Sequence, residues 1–248
     1  MSHIHIDVEH LSYAYENGNN VLSDLSFHAG EDDCIGIIGA NGVGKSTLLK
    51  MLVGLILDYS GSIRVEEIPV EKKTLSLIRE KIGYLFQDSD SQLFLSTAYE
   101  DVAFGPLNYG LPQDEVDRRV DQALAQVGAM HLKNKHTYQM SGGEKKLIAI
   151  ATILSMNPDI ILMDEPSVAL DPKNRRNLIQ LINSWKHLRL IASHDLDLIM
   201  DTCNRTILIA DGKIIRDGDT KEILTDEKLL DQCGLELPLS LYHSLRIR

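Results

Sequence analysis

Apolar positions along the chain fall into short continuous runs and into helical periods, and the two kinds of segment alternate. Continuous runs at Cys34–Ile38, Ile160–Met163 and Leu190–Ala192 predict buried strands. Between Asp114 and Val127 apolar residues recur at helical spacing, and Lys145 to Met156 predicts a second, more apolar helix. Because strands alternate with helices, the pattern favours an α/β fold with a mostly parallel sheet.

The two ends of the sequence predict further strands. Apolar and polar residues alternate from Ile4 to Val8, so we expect the fold to begin with a strand that has one buried face. Near the other end, Thr206–Ala210 and Lys213–Arg216 flank an Asp-Gly pair, which supplies the positive φ angles that a tight hairpin turn requires. The chain after Thr225 reads as a small helical appendix.

One long helical stretch without a predicted strand divides the chain. Residues 88–157 read as a helical subdomain. The sequence therefore predicts a core built from residues 1–87 and 158–225, with a short C-terminal extension at residues 226–248.

Composition narrows the class of protein. The chain has 248 residues, of which 44% are hydrophobic and 25% charged, as in an ordinary globular protein. A net charge of -11 argues against a nucleic acid as partner, because it would repel phosphate. No apolar run approaches the roughly 18 residues of a membrane-spanning helix. The three cysteines, Cys34, Cys203 and Cys233, are odd in number and widely spaced, which suggests no disulfide framework and fits a reducing cytoplasm.

A phosphate-binding loop is the most specific motif. Gly39-Ala-Asn-Gly-Val-Gly-Lys-Ser46 follows a predicted strand and precedes a predicted helix that begins at Lys45. Its glycines let several backbone N–H groups point at one phosphate, Lys45 neutralises the outer phosphates, and the Ser46 hydroxyl is a ligand for Mg²⁺. A glycine-rich turn that merely caps a helix is the alternative, and the flanking elements favour phosphate binding.

Two adjacent carboxylates end a later apolar strand. Asp164 and Glu165 close the run that begins at Ile160, where unpaired charges would be costly to bury. Mg²⁺ supplies a partner for Asp164, while Glu165 is placed to accept a proton from, or to orient, the water that attacks a γ-phosphate. Alone, such a pair commonly forms only a turn.

Two interpretations fit Met140-Ser-Gly-Gly-Glu144. Its Ser-x-x-Glu spacing is that of a capping box, which closes the N-terminus of a helix. Adjacent glycines are unfavourable in a helix but let the backbone approach a phosphate closely, so we favour a phosphate-binding function.

These motifs, taken with His194, occur in the order that defines the ATPase subunits of ABC transporters, which the chain resembles over residues 4–225. The resemblance implies a P-loop NTPase fold of the ABC type, with a mixed core sheet, an N-terminal antiparallel β part and a helical subdomain. Tyr15 would stack on adenine, Gln87 would link the Mg²⁺ site to the subdomain, and Ser141 and Gly143 would contact ATP held by a second subunit. The implied nucleotide-binding residues are Tyr15, Asn41, Gly42, Gly44, Lys45, Ser46, Thr47, Ser141 and Gly143, the catalytic residues Glu165 and His194, and the metal ligands Ser46, Gln87 and Asp164.

A finer resemblance concerns Phe86–Phe94 and Glu100–Asn108, which are similar to the energy-coupling-factor and cobalt-importer group. That likeness implies an importer of cobalt, nickel or a vitamin. Its ATPase pair, identical or related, would sit on the cytoplasmic face of the membrane and drive an integral coupling protein and a substrate-capture protein. Two residues depart from the pattern of many ABC ATPases. Glu144 replaces the more frequent glutamine, and Leu147 stands where many members have arginine.

Two other functions remain open from sequence. A soluble ABC-type ATPase that acts on DNA, ribosomes or protein assemblies has the same phosphate machinery. The acidic net charge argues against it. So does the segment Gln87–Asn108, because the finer resemblance implies that helices of the membrane coupling protein dock beside it. A regulatory subunit that binds ATP without hydrolysing it is the second alternative, and the presence of Glu165 and His194 argues against that.

Overall fold

A six-stranded sheet forms the centre of the molecule, for which a computed structural model describes residues 4–15 and 20–241. In spatial order its strands are β10 (Lys213–Asp219), β9 (Arg205–Ala210), β3 (Cys34–Ile38), β8 (Leu188–Ala192), β7 (Ile160–Asp164) and β6 (Ile82–Leu85). All neighbours are parallel except β10, which is antiparallel to β9. Every residue of β3, β7 and β8 is buried, as expected for parallel strands covered on both faces.

A second, antiparallel sheet covers part of the core. Its strands lie in the order β2 (Asn20–Gly30), β1 (His5–Ala14), β4 (Ser60–Val65) and β5 (Ile68–Pro69). Ile6 and Val8 of β1 are buried in one apolar cluster with residues of β3. On the opposite face of β1, the His5 Nε2 atom lies 3.3 Å from Asp7 and 3.2 Å from Glu67.

Helices fill both sides of the central sheet and the stretch between β6 and β7. Before β6 come α1 (Lys45–Leu52) and α2 (Leu75–Lys81); between β6 and β7 lie α3 (Ala98–Asn108), α4 (Gln113–Gln126) and α5 (Gly142–Leu154); after β7 follow α6 (Pro172–Ser184), α7 (Leu196–Thr202), α8 (Thr220–Thr225) and α9 (Glu227–Gln232). The helices α3, α4 and α5 contact one another and share buried apolar residues such as Val102, Val120 and Ile148. Among the described helices, none is long and apolar enough to cross a bilayer.

Local sequence explains where several helices begin. Thr97 and Glu100 form a capping box at the start of α3, and Asp171 accepts two backbone N–H groups at the start of α6, whose first residue is Pro172. Such caps satisfy backbone donors that have no partner within the helix, so the polar residues before each helix fix its first turn.

The predicted α/β fold, with its mixed core sheet, antiparallel β part and helices, is confirmed. The strand at Cys34–Ile38 and the helix start at Lys45 agree with the structure, and Asp211 and Gly212 adopt the positive φ angles of the predicted hairpin turn. The predicted start of α5 at Lys145 was wrong, because the helix begins three residues earlier at Gly142. The capping box at Ser141 and Glu144 stabilises that first turn despite its glycines.

The chain after α8 packs back onto the core. Leu230 and Leu237 are buried in the apolar cluster that contains α3 and α5. The backbone N–H groups of Leu239 and Ser240 both donate to the carboxylate of Asp197, in the first turn of α7. The C-terminal extension is therefore fixed beside α7 as far as Leu241, the last residue that the structure describes.

Candidate nucleotide-binding site

The loop between β3 and α1 requires glycine for steric reasons. Gly39, Gly42 and Gly44 all have positive φ angles, of 150°, 83° and 104°. A Cβ atom at Gly39 would lie 2.2 Å from the carbonyl oxygen of Ile209, and one at Gly44 would lie 2.6 Å from the Leu22 side chain. No atom lies within 4 Å of a Cβ placed on Gly42, so the backbone there borders open space. The loop is thus a backbone-lined cradle of the kind that surrounds a phosphate.

Lys45 lies in this loop with its ammonium group turned inwards. Its Nζ atom donates to the carbonyl oxygens of Gly39, at 2.7 Å, and Ala40, at 3.1 Å. Burial lowers the pKa of Lys45, and the nearby carboxylates of Glu165 and Asp164 act in the opposite direction. Two carbonyl oxygens accept two of the three N–H donors of the ammonium group, which leaves one donor for an anionic ligand.

An oxygen-rich cluster joins α1 to the end of β7. The Ser46 hydroxyl donates to Asp164 Oδ1 at 2.9 Å, and the Tyr84 hydroxyl donates to Asp164 Oδ2 at 3.4 Å. Burial raises the pKa of Asp164, although the Ser46 hydrogen bond opposes this shift. A hydroxyl and a carboxylate are oxygen ligands of the type that Mg²⁺ prefers, so the donor set fits this ion.

Glu165 is held by its neighbours in an unusual backbone conformation. Its φ angle of 49° is left-handed, which is uncommon outside glycine and is often found at functional sites. The carboxylate accepts the Ser193 hydroxyl at 3.0 Å and the His194 backbone N–H at 3.1 Å. His194 Nδ1 lies 2.8 Å from Glu165 Oε2, while most of its ring is exposed. The carboxylate is therefore fixed by three contacts at the edge of the cradle.

Lys45, Ser46 and Glu165 line one cavity of about 390 Å³. Asp164, bonded to Ser46, and His194, bonded to Glu165, do not line it. Tyr15 lies at its rim, where its hydroxyl is 3.2 Å from Thr47 Oγ1 and its ring packs edge-on against Tyr13. The lining residues are Tyr15, Val21, Asn41, Gly42, Gly44, Lys45, Ser46, Thr47, Gln87 and Glu165. The structure thus brings most of the predicted site residues together, and Val21 is an addition that no polar motif in the sequence marked.

Ser141 and Gly143 do not line this cavity. Ser141 is exposed and caps α5, and a Cβ atom on Gly143 would lie 3.1 Å from the carbonyl oxygen of Ala169. A separate cavity of about 300 Å³ lies between α5 and Ala169, and Gln87 lines both cavities. Within a single chain, Ser141 and Gly143 therefore lie outside the phosphate cradle, and Gln87 connects the two regions.

The sequence did not mark Lys146, which the structure places at this connection. Its side chain is only 1% exposed, and its Nζ atom donates to the carbonyl oxygens of Gln87, at 2.7 Å, and Phe86, at 3.3 Å. Gln92 adds a second link, because it accepts the Phe86 N–H and donates to Ala149 O at 2.8 Å. The sequence did contain a signal for Lys146, because it falls among apolar residues of α5 and charged residues are rarely buried without a specific partner.

The cradle, the buried lysine and the paired carboxylates at the end of a parallel strand define a P-loop nucleotide hydrolase. The sequence profile described as ABC transporter matches residues 22–168. The chain belongs to this family, and it is an ATP-binding ATPase subunit of the ABC type.

Known relatives extend along nearly the whole chain. A protein of Geobacter sulfurreducens, provisionally named an ABC transporter ATP-binding protein, is 47% identical over 241 residues, or 97% of each chain. The energy-coupling factor transporter ATP-binding protein EcfA of Methanosphaera stadtmanae is 40% identical over 94% of this chain and 86% of its own.

Solved structures have the same fold. The structure of cbiO1 from Clostridium perfringens, described as part of the ABC transporter complex cbiONQ, has a TM-score of 0.81 at 36% identity and covers 97% of this chain and 98% of its own. A dimeric ATP-binding cassette bound to ADP and phosphate, in a state described as post-hydrolysis, has a TM-score of 0.80 at 27% identity and covers 87% and 98% of the two chains.

Proposed function

We propose that this ATPase energises an importer of the energy-coupling-factor type, from the cytoplasmic face of the membrane. ATP would lie in the cavity of about 390 Å³, with its adenine against Tyr15 and its phosphates in the glycine cradle. The main observation in support of ATP hydrolysis is that Lys45, Asp164 and Glu165 lie around the same glycine cradle.

Each polar group has a distinct task in hydrolysis. Ser46, Asp164 and Gln87 would hold Mg²⁺, which would supply positive charge to the phosphates. Lys45 would neutralise the outer phosphates. Glu165 orients the attacking water and takes up its proton, and His194, bonded to Glu165, contacts the γ-phosphate.

The second half of the ATP site would come from another subunit. Because Ser141 and Gly143 lie outside the cavity of their own chain, their phosphate contacts require the cradle of a second ATPase chain. Two chains arranged head to tail would enclose two nucleotides, and hydrolysis would let them separate. The partner is a second copy or a related chain, and both provide the same pair of half-sites. The structural neighbour described as dimeric and bound to ADP and phosphate supports a pair of ATPase chains.

An exposed apolar patch on the helical subdomain supports the membrane part. Phe94 is 64% exposed and Phe104 is 41% exposed, and their ring centroids lie 4.8 Å apart. Leu107, on the same helix as Phe104, is also exposed. Large exposed apolar residues in a cluster are typical of an interaction surface, and this one lies in the segment Gln87–Asn108 that the sequence assigned to membrane coupling.

The transported substrate is proposed from the subgroup alone, as cobalt, nickel or a vitamin. The structural neighbour's description as part of cbiONQ is consistent with a multi-component transporter. A soluble ATPase that acts on a macromolecular assembly is the competing function, and the aromatic patch favours transport because it is apolar rather than basic.

The test is recovery of the membrane partners. Tagged Glu165→Gln would be purified with ATP from detergent-solubilised membranes of the native host, and the bound proteins would be identified by mass spectrometry. We expect a multi-span coupling protein and a second membrane protein that captures substrate. Recovery of soluble or ribosomal proteins alone would contradict the transport function and leave the ATPase assignment intact.

A matched variant separates docking from catalysis. Phe94→Ser combined with Phe104→Ser, in the same Glu165→Gln background, removes the aromatic patch without touching the ATP cavity. We expect this variant to bind ATP normally and to lose the membrane proteins. Retention of those proteins would show that they dock elsewhere.

A further inference from the structure

Glu144 places a negative charge next to the residue proposed to meet a phosphate. Its carboxylate accepts the Ser141 backbone N–H at 2.7 Å, and its own N–H donates to Ser141 Oγ at 3.3 Å. The Ser141 side chain also hydrogen-bonds the Glu144 carboxylate and helps to lower its pKa, so its hydroxyl hydrogen would have to leave that carboxylate to meet a phosphate. A glutamine would cap Ser141 through its carbonyl oxygen without carrying any charge, whereas a glutamate repels an approaching phosphate.

Lys135 supplies the compensating charge. Its Nζ atom lies 2.7 Å and 2.9 Å from the two oxygens of the Glu144 carboxylate, and both side chains are partly exposed to solvent. This ion pair is the main reason that the pKa of Glu144 lies below its ordinary value, and the Ser141 N–H adds to the effect. The carboxylate is thus ionised and neutralised by one neighbour.

The backbone of Lys135 is also anchored. Its N–H donates to the Leu132 carbonyl at 2.8 Å, and its carbonyl oxygen accepts the Ala98 N–H, at the start of α3, at 3.1 Å. Thr137 donates from its hydroxyl to Leu95 O at 2.8 Å. Lys135 therefore sits at a fixed point between α3 and the Ser141 motif, and a long side chain anchored in this way loses less entropy when it holds an ion pair.

We propose that Lys135 is a positioning residue of the ATP site, which neutralises Glu144 so that the Ser141 hydroxyl can receive the γ-phosphate of ATP bound to a second copy of the chain. The inference rests on the proposed head-to-tail closure. Lys135 does not line the nucleotide cavity of its own chain. Its effect is therefore expected on closure of the dimer and not on binding of ATP to a single subunit.

The test is a charge-compensation experiment in the Glu165→Gln background, in which ATP is not consumed. Analytical ultracentrifugation with ATP and Mg²⁺ would give the dimer dissociation constant for the parent, Lys135→Met, Glu144→Gln and the double variant. We expect Lys135→Met to weaken dimerisation about tenfold, because it leaves an unpaired carboxylate facing phosphate. In the Glu144→Gln background the same substitution should change the constant less than about twofold, because no charge remains to neutralise.

Control variants separate this role from a general loss of structure. Lys133→Met removes an ion pair to Asp121 in the same segment without touching Glu144, so dimerisation should match the parent. Lys135→Arg keeps the charge and should stay close to the parent. ATP affinity of the monomer, measured below the dimerisation range, should be the same for every variant, and a damaged fold would lower it.

Each outcome decides a different question. An equal loss for Lys135→Met in both backgrounds would overturn the inference, as would no loss in either. If the Glu165→Gln parent itself formed no ATP-dependent dimer, the proposed closure of two copies would be contradicted, and the inference would fall with it.

Discussion

The two parts of the proposed ATP site, the phosphate cradle and the motif at Ser141, differ in how completely each is formed within one chain. In the cradle, Asp164 is 3% exposed and Glu165 is 6% exposed, and both carboxylates already have hydrogen-bond donors. In the signature motif, here meaning Ser141–Glu144, Ser141 is exposed, and the polar contacts are the capping box between Ser141 and Glu144 and the ion pair of Glu144 with Lys135. One part is a preorganised pocket, and the other is a surface.

This difference assigns different work to the two parts. Electrostatic groups act more strongly in a site that excludes water, so the cradle is suited to the chemical step. Exposed groups bind phosphate weakly until a partner excludes water from them, so the signature motif is suited to act only after a second subunit has bound. Variants in the cradle should therefore alter ATP binding or turnover in each subunit. Variants of residues that link the cradle to the signature motif should alter turnover with little change in ATP affinity.

Glu165→Gln should produce the largest effect. The amide retains hydrogen bonding to Ser193 and His194 but cannot accept the proton of the attacking water, so turnover should fall by about 1,000-fold. ATP affinity should stay within about threefold of the parent. Steady-state phosphate release and calorimetric ATP titration would measure the two quantities. Glu31→Gln, an exposed carboxylate, is the control, and normal hydrolysis by Glu165→Gln would refute the proton-accepting role.

Lys45→Ala should come next, and its effect should appear in binding. Removal of the buried ammonium group leaves the phosphates without their main cation, so ATP affinity should fall about 50-fold. Titration calorimetry with ATP and Mg²⁺ would measure it. Lys186→Ala removes an exposed lysine and should bind ATP as the parent does. A loss confined to turnover, with affinity unchanged, would contradict the assignment of Lys45 to phosphate binding.

Lys146→Met tests the connection between the two parts. Methionine fills a similar volume but leaves the carbonyl oxygens of Phe86 and Gln87 without this donor, which should cost about 1–3 kcal/mol of stability. Because Lys146 does not line the ATP cavity, we expect turnover to fall about fivefold with little change in ATP affinity.

The neighbouring lysine provides the control for that variant. Lys145 lies on the same helix and pairs with Asp90 near the surface, so Lys145→Met should retain turnover. Urea unfolding and phosphate release, measured on both variants, would separate stability from turnover. Equal losses in the two variants would indicate a general effect on α5 rather than a specific link to Gln87.

Local sequence was sufficient to predict the cradle. The glycines, Lys45 and Ser46 are consecutive, and the strand before them and the helix after them have clear apolar patterns. Steric and capping requirements act over a few residues, which is why the loop and the start of α1 agree with the structure. The start of α5 was placed three residues too late, because its first turn contains two glycines, which are unfavourable in a helix, and the capping box at Ser141 stabilises that turn.

The links between distant segments could not be predicted. Lys135 and Glu144 form a pair only because the turn after α4 returns to the start of α3. Lys146 reaches Gln87 across 59 positions, and the Cys34 thiol donates to Cys203 Sγ at 3.7 Å across 169 positions, without a disulfide between them. Such contacts depend on the tertiary packing of whole elements, and a single sequence contains no periodic signal for them.

Arg175→Met should have the smallest effect, and pH identifies its origin. The guanidinium contacts both oxygens of Asp195, at 2.8 Å and 2.9 Å, and Asp195 also caps α7 and accepts the Ser167 hydroxyl. Burial acts to raise the pKa of Asp195, but the hydrogen bonds from Arg175 and the Leu198 N–H prevail and lower it. The ionised carboxylate therefore stabilises the fold above its unfolded pKa, and this contribution is lost as the pH falls through the lower, folded pKa.

Substitution of Arg175 should accordingly cost about 1 kcal/mol at pH 7, a modest value because the pair is partly exposed to solvent. The difference from the parent should shrink as the pH falls towards 4 and Asp195 takes up a proton in the variant. Urea unfolding at both pH values would measure it, with Arg176→Met, an exposed neighbour, as the control. A loss that stayed constant with pH would contradict the ion pair as the source of the stability and would assign the contribution of Arg175 to packing of its aliphatic stem.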